Sequence, residues 1–281
     1  MKEFASPVSL SDAAINHLIQ LPNLRAWRVK GPPPSYSASS LPPTFPPLVE
    51  FTLGEGAAHG WLSLFERLEG RVPSTQTMTP LSKVKESLES LKVNNRPGLI
   101  IDVSFTSPIQ LFRNLVYLNV VVHCRDSDYR EPCGFKLNDA NVTELAMALP
   151  GLESLFLGRP CYENTCATTV ACLLQISIHC VKLRILEIHF DTTNILDDLK
   201  SILADPQFQT LHSLPRCVLT HLDTYQIPLA LDEPGFETVA NGMVGIFPSL
   251  KCCAGIEEIW DKVSERIVET QEVRTLLVGR W

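Results

Sequence analysis

Apolar residues recur along this chain in groups separated by three, three and two positions. "LPGLESLFL" places Leu149, Leu152, Leu155 and Leu157 in that order. Those gaps fit neither the 3.6-residue period of a helix nor the plain alternation of a strand. The spacing returns in "LPNLRAWRV" (Leu21, Leu24, Trp27, Val29) and "FPPLVEFTL" (Phe45, Leu48, Phe51, Leu53). It continues in "SLESLKV" (Leu88, Leu91, Val93), "FRNLVYLNV" (Phe112, Leu115, Leu118, Val120) and "CVKLRILEI" (Cys180, Leu183, Leu186, Ile188). Two weaker copies close the series: "VLTHLDT" (Leu219, Leu222, Thr224) and "FPSLKCC" (Phe247, Leu250, Cys253). The last two apolar residues of each group are two apart, so they point to one face of a short strand. The earlier ones sit on the turn leading into it. One such fragment cannot bury its apolar face alone, so copies stack and share a core. Gly158, directly after the opening group, frees the chain to leave the strand.

The gaps between copies, roughly 24 to 40 residues, hold helical patterns. "SDAAINHLIQL" has Ser11 as N-cap, and "TPLSKVKESL" has Thr79 as cap with Pro80 in the first turn. "NDANVTELAMAL" predicts Val142, Leu145, Met147 and Leu149 on one side. "TCATTVACLLQISIHC" is almost wholly apolar and predicts the most buried helix. "DEPGFETVANGMVGIF" opens on Asp232 with Pro234 just inside. Alternating strand and helix predicts an α/β fold with a parallel sheet. The L-x-x-L-x-L spacing resembles a leucine-rich repeat. The expected structure is a single leucine-rich-repeat solenoid over residues 1–281, with seven or eight units, strands on the concave face and helices on the convex one. Within it, 31–47 is expected as a Pro/Ser-rich surface loop, and Leu99 to Val103 as an additional strand. A capping helix is expected over 256–274, with Ile259 and Val263 turned inward.

Bulk properties narrow the function. Of 281 residues, 45% are hydrophobic and 20% charged, too apolar for disorder. Net charge is −7, from 24 basic and 31 acidic residues, against a nucleic-acid or anionic-membrane partner. No apolar run reaches the ~18 residues that span a bilayer. The first residues, "MKEFASPVSLSDAA", lack a signal-peptide core. The expectation is an intracellular protein, in cytoplasm, nucleus or both, with reduced thiols.

Several longer phrases carry a more specific likeness: "FRNLVYLNV", "FKLNDANVTELAMALPGLESLFLGRPC", "NTCATTVACLLQISIHCVKLRILEIHF" and "IFPSLKCCAGIEEIWDKV". Through them the chain resembles fungal F-box/leucine-rich-repeat proteins, over about 80–265 and more loosely over 9–79. The resemblance implies the substrate-recognition region of an F-box-type ubiquitin ligase receptor, its repeats binding the target protein. An F-box would bind the ligase's adaptor subunit. No segment here resembles an F-box, so that partner is expected only if one is encoded upstream. The alternative is a stand-alone repeat scaffold with no ligase connection.

Chemistry-bearing residues point away from catalysis. Cys161, Cys166, Cys172 and Cys180 cluster with His179, downstream of Cys124 and Cys133, and raise the question of zinc. Structural zinc uses tight cysteine pairs, whereas Cys172 and Cys180 would lie about 12 Å apart along a helix. Buried cysteine as a small hydrophobe is the preferred reading, and Cys252-Cys253 is expected to be partly exposed. His189 and His221 are expected on the inner strand surface with Asp223 or Glu187 nearby, but no nucleophile elbow accompanies them. No phosphate-binding glycine motif is present. No enzyme activity, metal or cofactor is expected. The expected binding surface is the concave strand face, carrying Arg28, Lys92, Tyr117, Asn119, Phe156, Ile185, Glu187, His189, His221, Asp223 and Tyr225. Exposed aromatics on a rigid face suit a protein partner.

Overall fold

A computed structural model of the chain describes residues 2–6, 10–31, 45–54, 57–69, 82–95, 101–122, 135–158, 167–206, 208, 216–224, 232–254 and 258–278. Nine strands are found among them: β1 Glu3–Ala5, β2 Ala26–Val29, β3 Glu50–Leu53, β4 Ser90–Asn95, β5 Tyr117–Val122, β6 Ser154–Leu157, β7 Ile185–Ile188, β8 His221–Asp223 and β9 Cys252–Ala254. They form one sheet whose order follows the chain, and every neighbouring pair is parallel. Parallel neighbours require crossover connections, and helices occupy most of them. The described helices are α1 Asp12–Ile19, α2 Ala58–Glu69, α3 Ser82–Ser87, α4 Val103–Thr106, α5 Asp139–Ala148, α6 Val170–His179, α7 Ile195–Ala204, α8 Glu233–Ile246 and α9 Glu258–Val278, with a 3₁₀ turn at Ile109–Leu111.

Backbone hydrogen bonds explain the three-three-two spacing. The N–H of Leu152 donates to the carbonyl of Leu149, and Leu24, Leu115, Leu183 and Leu250 repeat this bond to Leu21, Phe112, Cys180 and Phe247. The first gap of three is therefore a tight turn. Two consecutive N–H groups at the start of the next strand then share one carbonyl of the preceding repeat. Glu153 and Ser154 both donate to Val116, at 2.8 and 3.1 Å, and Arg184 and Ile185 both donate to Glu153. The arrangement recurs at every junction from β1–β2 to β8–β9. It seats the third apolar residue of each group directly over its counterpart.

The result is a ladder of core residues in register. Phe4, Trp27, Phe51, Leu91, Leu118, Leu155, Leu186, Leu222 and Cys253 occupy equivalent positions on successive strands. From Trp27 onward each is at most 1% exposed. Burying a leucine or phenylalanine contributes about 1.5–3 kcal/mol, so the ladder is a main source of cohesion. Near its N-terminal end it is aromatic: Trp27, Phe51, Trp61 and Phe65 meet ring to ring at 5.1–6.2 Å. Gly158 leaves β6 at φ +90°, a conformation costly to other residues, and a Cβ there would lie 3.3 Å from the ring of Phe135.

Helix starts follow the expected caps at Ser11, whose hydroxyl accepts from Ala14 N–H, and at Asp232, whose carboxylate accepts from Gly235 N–H. Thr79 and Pro80 lie outside the described residues. The start of α5 is tied to that of α6: Asp139 accepts from the N–H and the hydroxyl of Thr169, both at 2.7 Å. The α6 helix is buried along Val170, Cys172, Leu173, Ile176 and Ser177.

Several expectations are corrected. Nine strands replace seven or eight units, because β1 also joins the sheet. The additional strand at Leu99 to Val103 is not formed in its described part. Ile101 makes only an isolated bridge to Phe135, and Val103 begins α4 under the cap of Asp102. Met147 is 59% exposed. It lies five positions after Val142, about 140° around the helix from it. Phe45 and Pro46, at the end of the expected 31–47 loop, are buried, and Phe45 packs on Phe65 at 6.0 Å; residues 32–44 lie outside the described set. Leu21 is half-buried. The closing helix extends to Val278 and buries Val263, while the side chain of Ile259 lies outside the described residues.

Candidate interaction surface

On each strand the residues between the ladder positions point to the other face. Register aligns them in two rows. One reads Ala5, Arg28, Thr52, Lys92, Asn119, Phe156, Glu187, Asp223 and Ala254. The other reads Glu3, Ala26, Glu50, Ser90, Tyr117, Ser154, Ile185, His221 and Cys252. Arg28 and His221 are exposed, and Ile185 is 40% exposed. Lys92, Tyr117, Asn119, Phe156, Glu187 and Asp223 are half-buried. The structure thus brings nine of the eleven anticipated residues onto one open face. Thr52, in the same row, is buried.

The centre of the face is aromatic. The rings of Tyr117 and Phe156 lie 5.4 Å apart, inclined at 40°. Asn119 donates to the Tyr117 hydroxyl at 3.1 Å and steadies that ring. The Lys92 ammonium sits 5.3 Å from the centre of the Tyr117 ring and 3.2 Å from a Glu50 carboxylate oxygen. Towards β8 the face turns acidic, with Glu187 and Asp223 directly opposite each other. Burial pushes the Asp223 pKa up.

At the other end the face sinks. Ala5 and Ala26 stand where most later strands carry larger side chains, leaving a hollow of ≈ 400 Å³ lined by Glu3, Arg28, Glu50 and Thr52. The sequence did not reveal it, because β1 was not recognised and the pairing of Ala5 with Arg28 was therefore unknown.

His189 is a correction. It lies one residue beyond β7 and is only 6% exposed. Strand alternation has ended there: Ile188, His189 and Phe190 are buried in succession. Burial lowers the His189 pKa. His221 aligns with Ile185 at the opposite end of β7, so the two histidines do not share a position on the face. Tyr225 lies outside the described residues.

Among the described cysteines, Cys180, Cys217, Cys252 and Cys253 are free thiols, and Cys172 is buried in α6. Cys253 is buried and Cys252 half-buried, so only Cys252 of that pair is accessible. The Cys217 thiol donates to the Leu183 carbonyl at 3.1 Å, and burial pushes the thiols of Cys180 and Cys217 up to about 12. A thiol so rarely ionised is a poor nucleophile and metal ligand. Cys124, Cys133, Cys161 and Cys166 lie outside the described residues. Among those described, no three His, Cys, Asp or Glu side chains are grouped so as to hold a metal ion. No described helix is long and apolar enough to cross a membrane.

Compared with known protein families and with curated proteins, the chain matches neither a family model nor any curated sequence.

Proposed function

We propose that the chain is a leucine-rich-repeat solenoid that binds another polypeptide on the open face of its sheet and catalyses no reaction. The observation that carries this reading is the Tyr117–Phe156 pair beside exposed Ile185. Large apolar side chains on a hydrogen-bonded sheet are already positioned, so little ordering cost attends binding. Aromatic residues are enriched at protein interfaces. The resemblance to F-box/leucine-rich-repeat proteins supports a role in choosing targets for a ubiquitin ligase.

The test is affinity purification of the tagged chain against a Tyr117→Ala, Phe156→Ala, Glu187→Ala variant. The expected result is a set of bound proteins present with the wild type and lost with the variant, both chains unfolding at similar temperatures. Retention of the same proteins by a folded variant would place the interface elsewhere. Ligase adaptor and cullin subunits among the bound proteins would support the receptor role. Partners without them would favour a stand-alone scaffold.

A further inference from the structure

We infer that the hollow at the β1 end of the open face binds a free α-amino acid, its carboxylate held by Arg28 and Thr52 and its ammonium by Glu3. This site is separate from the polypeptide surface around Tyr117 and Phe156 and goes beyond that reading.

The first argument is which groups in the hollow are left unengaged. Glu3, Arg28, Glu50 and Thr52 supply its polar side chains. Glu50 is engaged by Lys92 at 3.2 Å. Among the described residues, Glu3 and Arg28 form no ion pair, and the Thr52 hydroxyl has no hydrogen-bond partner. Thr52 is nevertheless only 3% exposed. A buried polar side chain without a partner is uncommon, and a hydroxyl can turn its proton towards an incoming oxygen. The hollow thus offers one anion, one cation and one hydroxyl.

Register is the second argument. Glu50 pairs with Ser90, two residues before Lys92. Glu3 pairs with Ala26, two residues before Arg28. The two acid–base pairs are therefore equivalent diagonals, each spanning about 8 Å between Cα atoms. A direct ion pair closes the first, whereas the second stands open over Ala26. Both Glu3 and Arg28 are exposed, so a direct pair between them would be weak and readily displaced. An ammonium and a carboxylate on one carbon can bridge that diagonal, each meeting its opposite charge. Arg28 and Thr52 face each other on adjacent strands, so each can donate to one oxygen of the same carboxylate.

The demand for both charges selects the ligand. A residue inside a polypeptide has neither backbone charge, and a chain end has only one. A free amino acid carries both, and a volume of ≈ 400 Å³ lies at the small end of ligand pockets, which begin at about 300 Å³.

Calorimetric titration of the whole chain with each of the common L-amino acids tests this. At least one is expected to bind with a Kd of about 1 mM or tighter. Its N-acetyl derivative, which lacks the ammonium, and its α-amide, which lacks the carboxylate, should each bind at least about tenfold more weakly. Arg28→Ala, Thr52→Val and Glu3→Gln should each weaken the parent amino acid at least about threefold. Should Thr52→Val fail to fold, the exposed Arg28 and Glu3 carry the test. Binding of no amino acid, or derivatives that bind as tightly as the parent, would overturn the inference. So would binding that survives Arg28→Ala and Glu3→Gln unchanged, since the ligand would then sit elsewhere.

Discussion

Asp223 shows what a charged residue costs on this face. Burial raises its pKa, so between its unfolded value, about 3.9, and its folded one the native chain holds the extra proton. Stability then falls as pH rises through that interval. The favourable contribution is complete below the unfolded pKa and is lost once pH passes the folded value. At neutral pH the residue is charged, close to Glu187, and less well hydrated than in the unfolded chain. Asp223→Asn is therefore expected to raise the thermal unfolding temperature at pH 7, with the gain shrinking to nothing near pH 3. Unfolding scans of both chains across that range provide the measurement. A lower midpoint for the variant at pH 7 would mean that the carboxylate is held by favourable contacts outweighing its burial.

The contact between α7 and α8 makes the same point for elements. A Cβ built at Gly242 would lie 2.8 and 2.9 Å from the two methyl carbons of Leu199, and one at Gly245 would lie 2.9 Å from a methyl of Leu203. Leu199 is fully buried. Gly242→Val is expected to destabilise the chain by about 1–3 kcal/mol through overpacking, read as a lower urea midpoint. An unchanged midpoint would show that the two helices can separate freely. Such a contact is hard to read from sequence, where a glycine within a helical pattern looks only unfavourable. The strand positions were legible for the opposite reason. The tight turn and the strand impose fixed gaps, so Leu118, Leu155 and Leu186 mark themselves, and aligning them also aligns Asn119, Phe156 and Glu187. Phe4 marks nothing by itself, since β1 has one inward residue, too few to show a spacing. His189 was misplaced because alternation was carried one residue past the strand's end.

For the whole molecule, one edge of the sheet, that of β9, is closed by a helix. Along the far edge of β9 runs α9, which buries Trp260, Val263 and Ile267 completely. The Ser264 hydroxyl accepts from Cys253 N–H at 2.8 Å and donates to the Cys253 carbonyl. Those are the edge groups that another strand would otherwise take. Gln271 adds a bond to the Pro248 carbonyl at 2.6 Å, tying the helix to the turn before β9. One side chain thus closes the backbone edge while three large apolar ones cover the last layer of core. Ser264→Ala leaves a buried donor and acceptor unmet and is expected to cost about 1–3 kcal/mol without changing oligomeric state. Deleting residues 258–278 uncovers both the edge and the apolar layer, and is expected to produce concentration-dependent self-association in sedimentation velocity. If the shortened chain sedimented as the full chain does, with an unaltered unfolding midpoint, α9 would be an appendage rather than a seal.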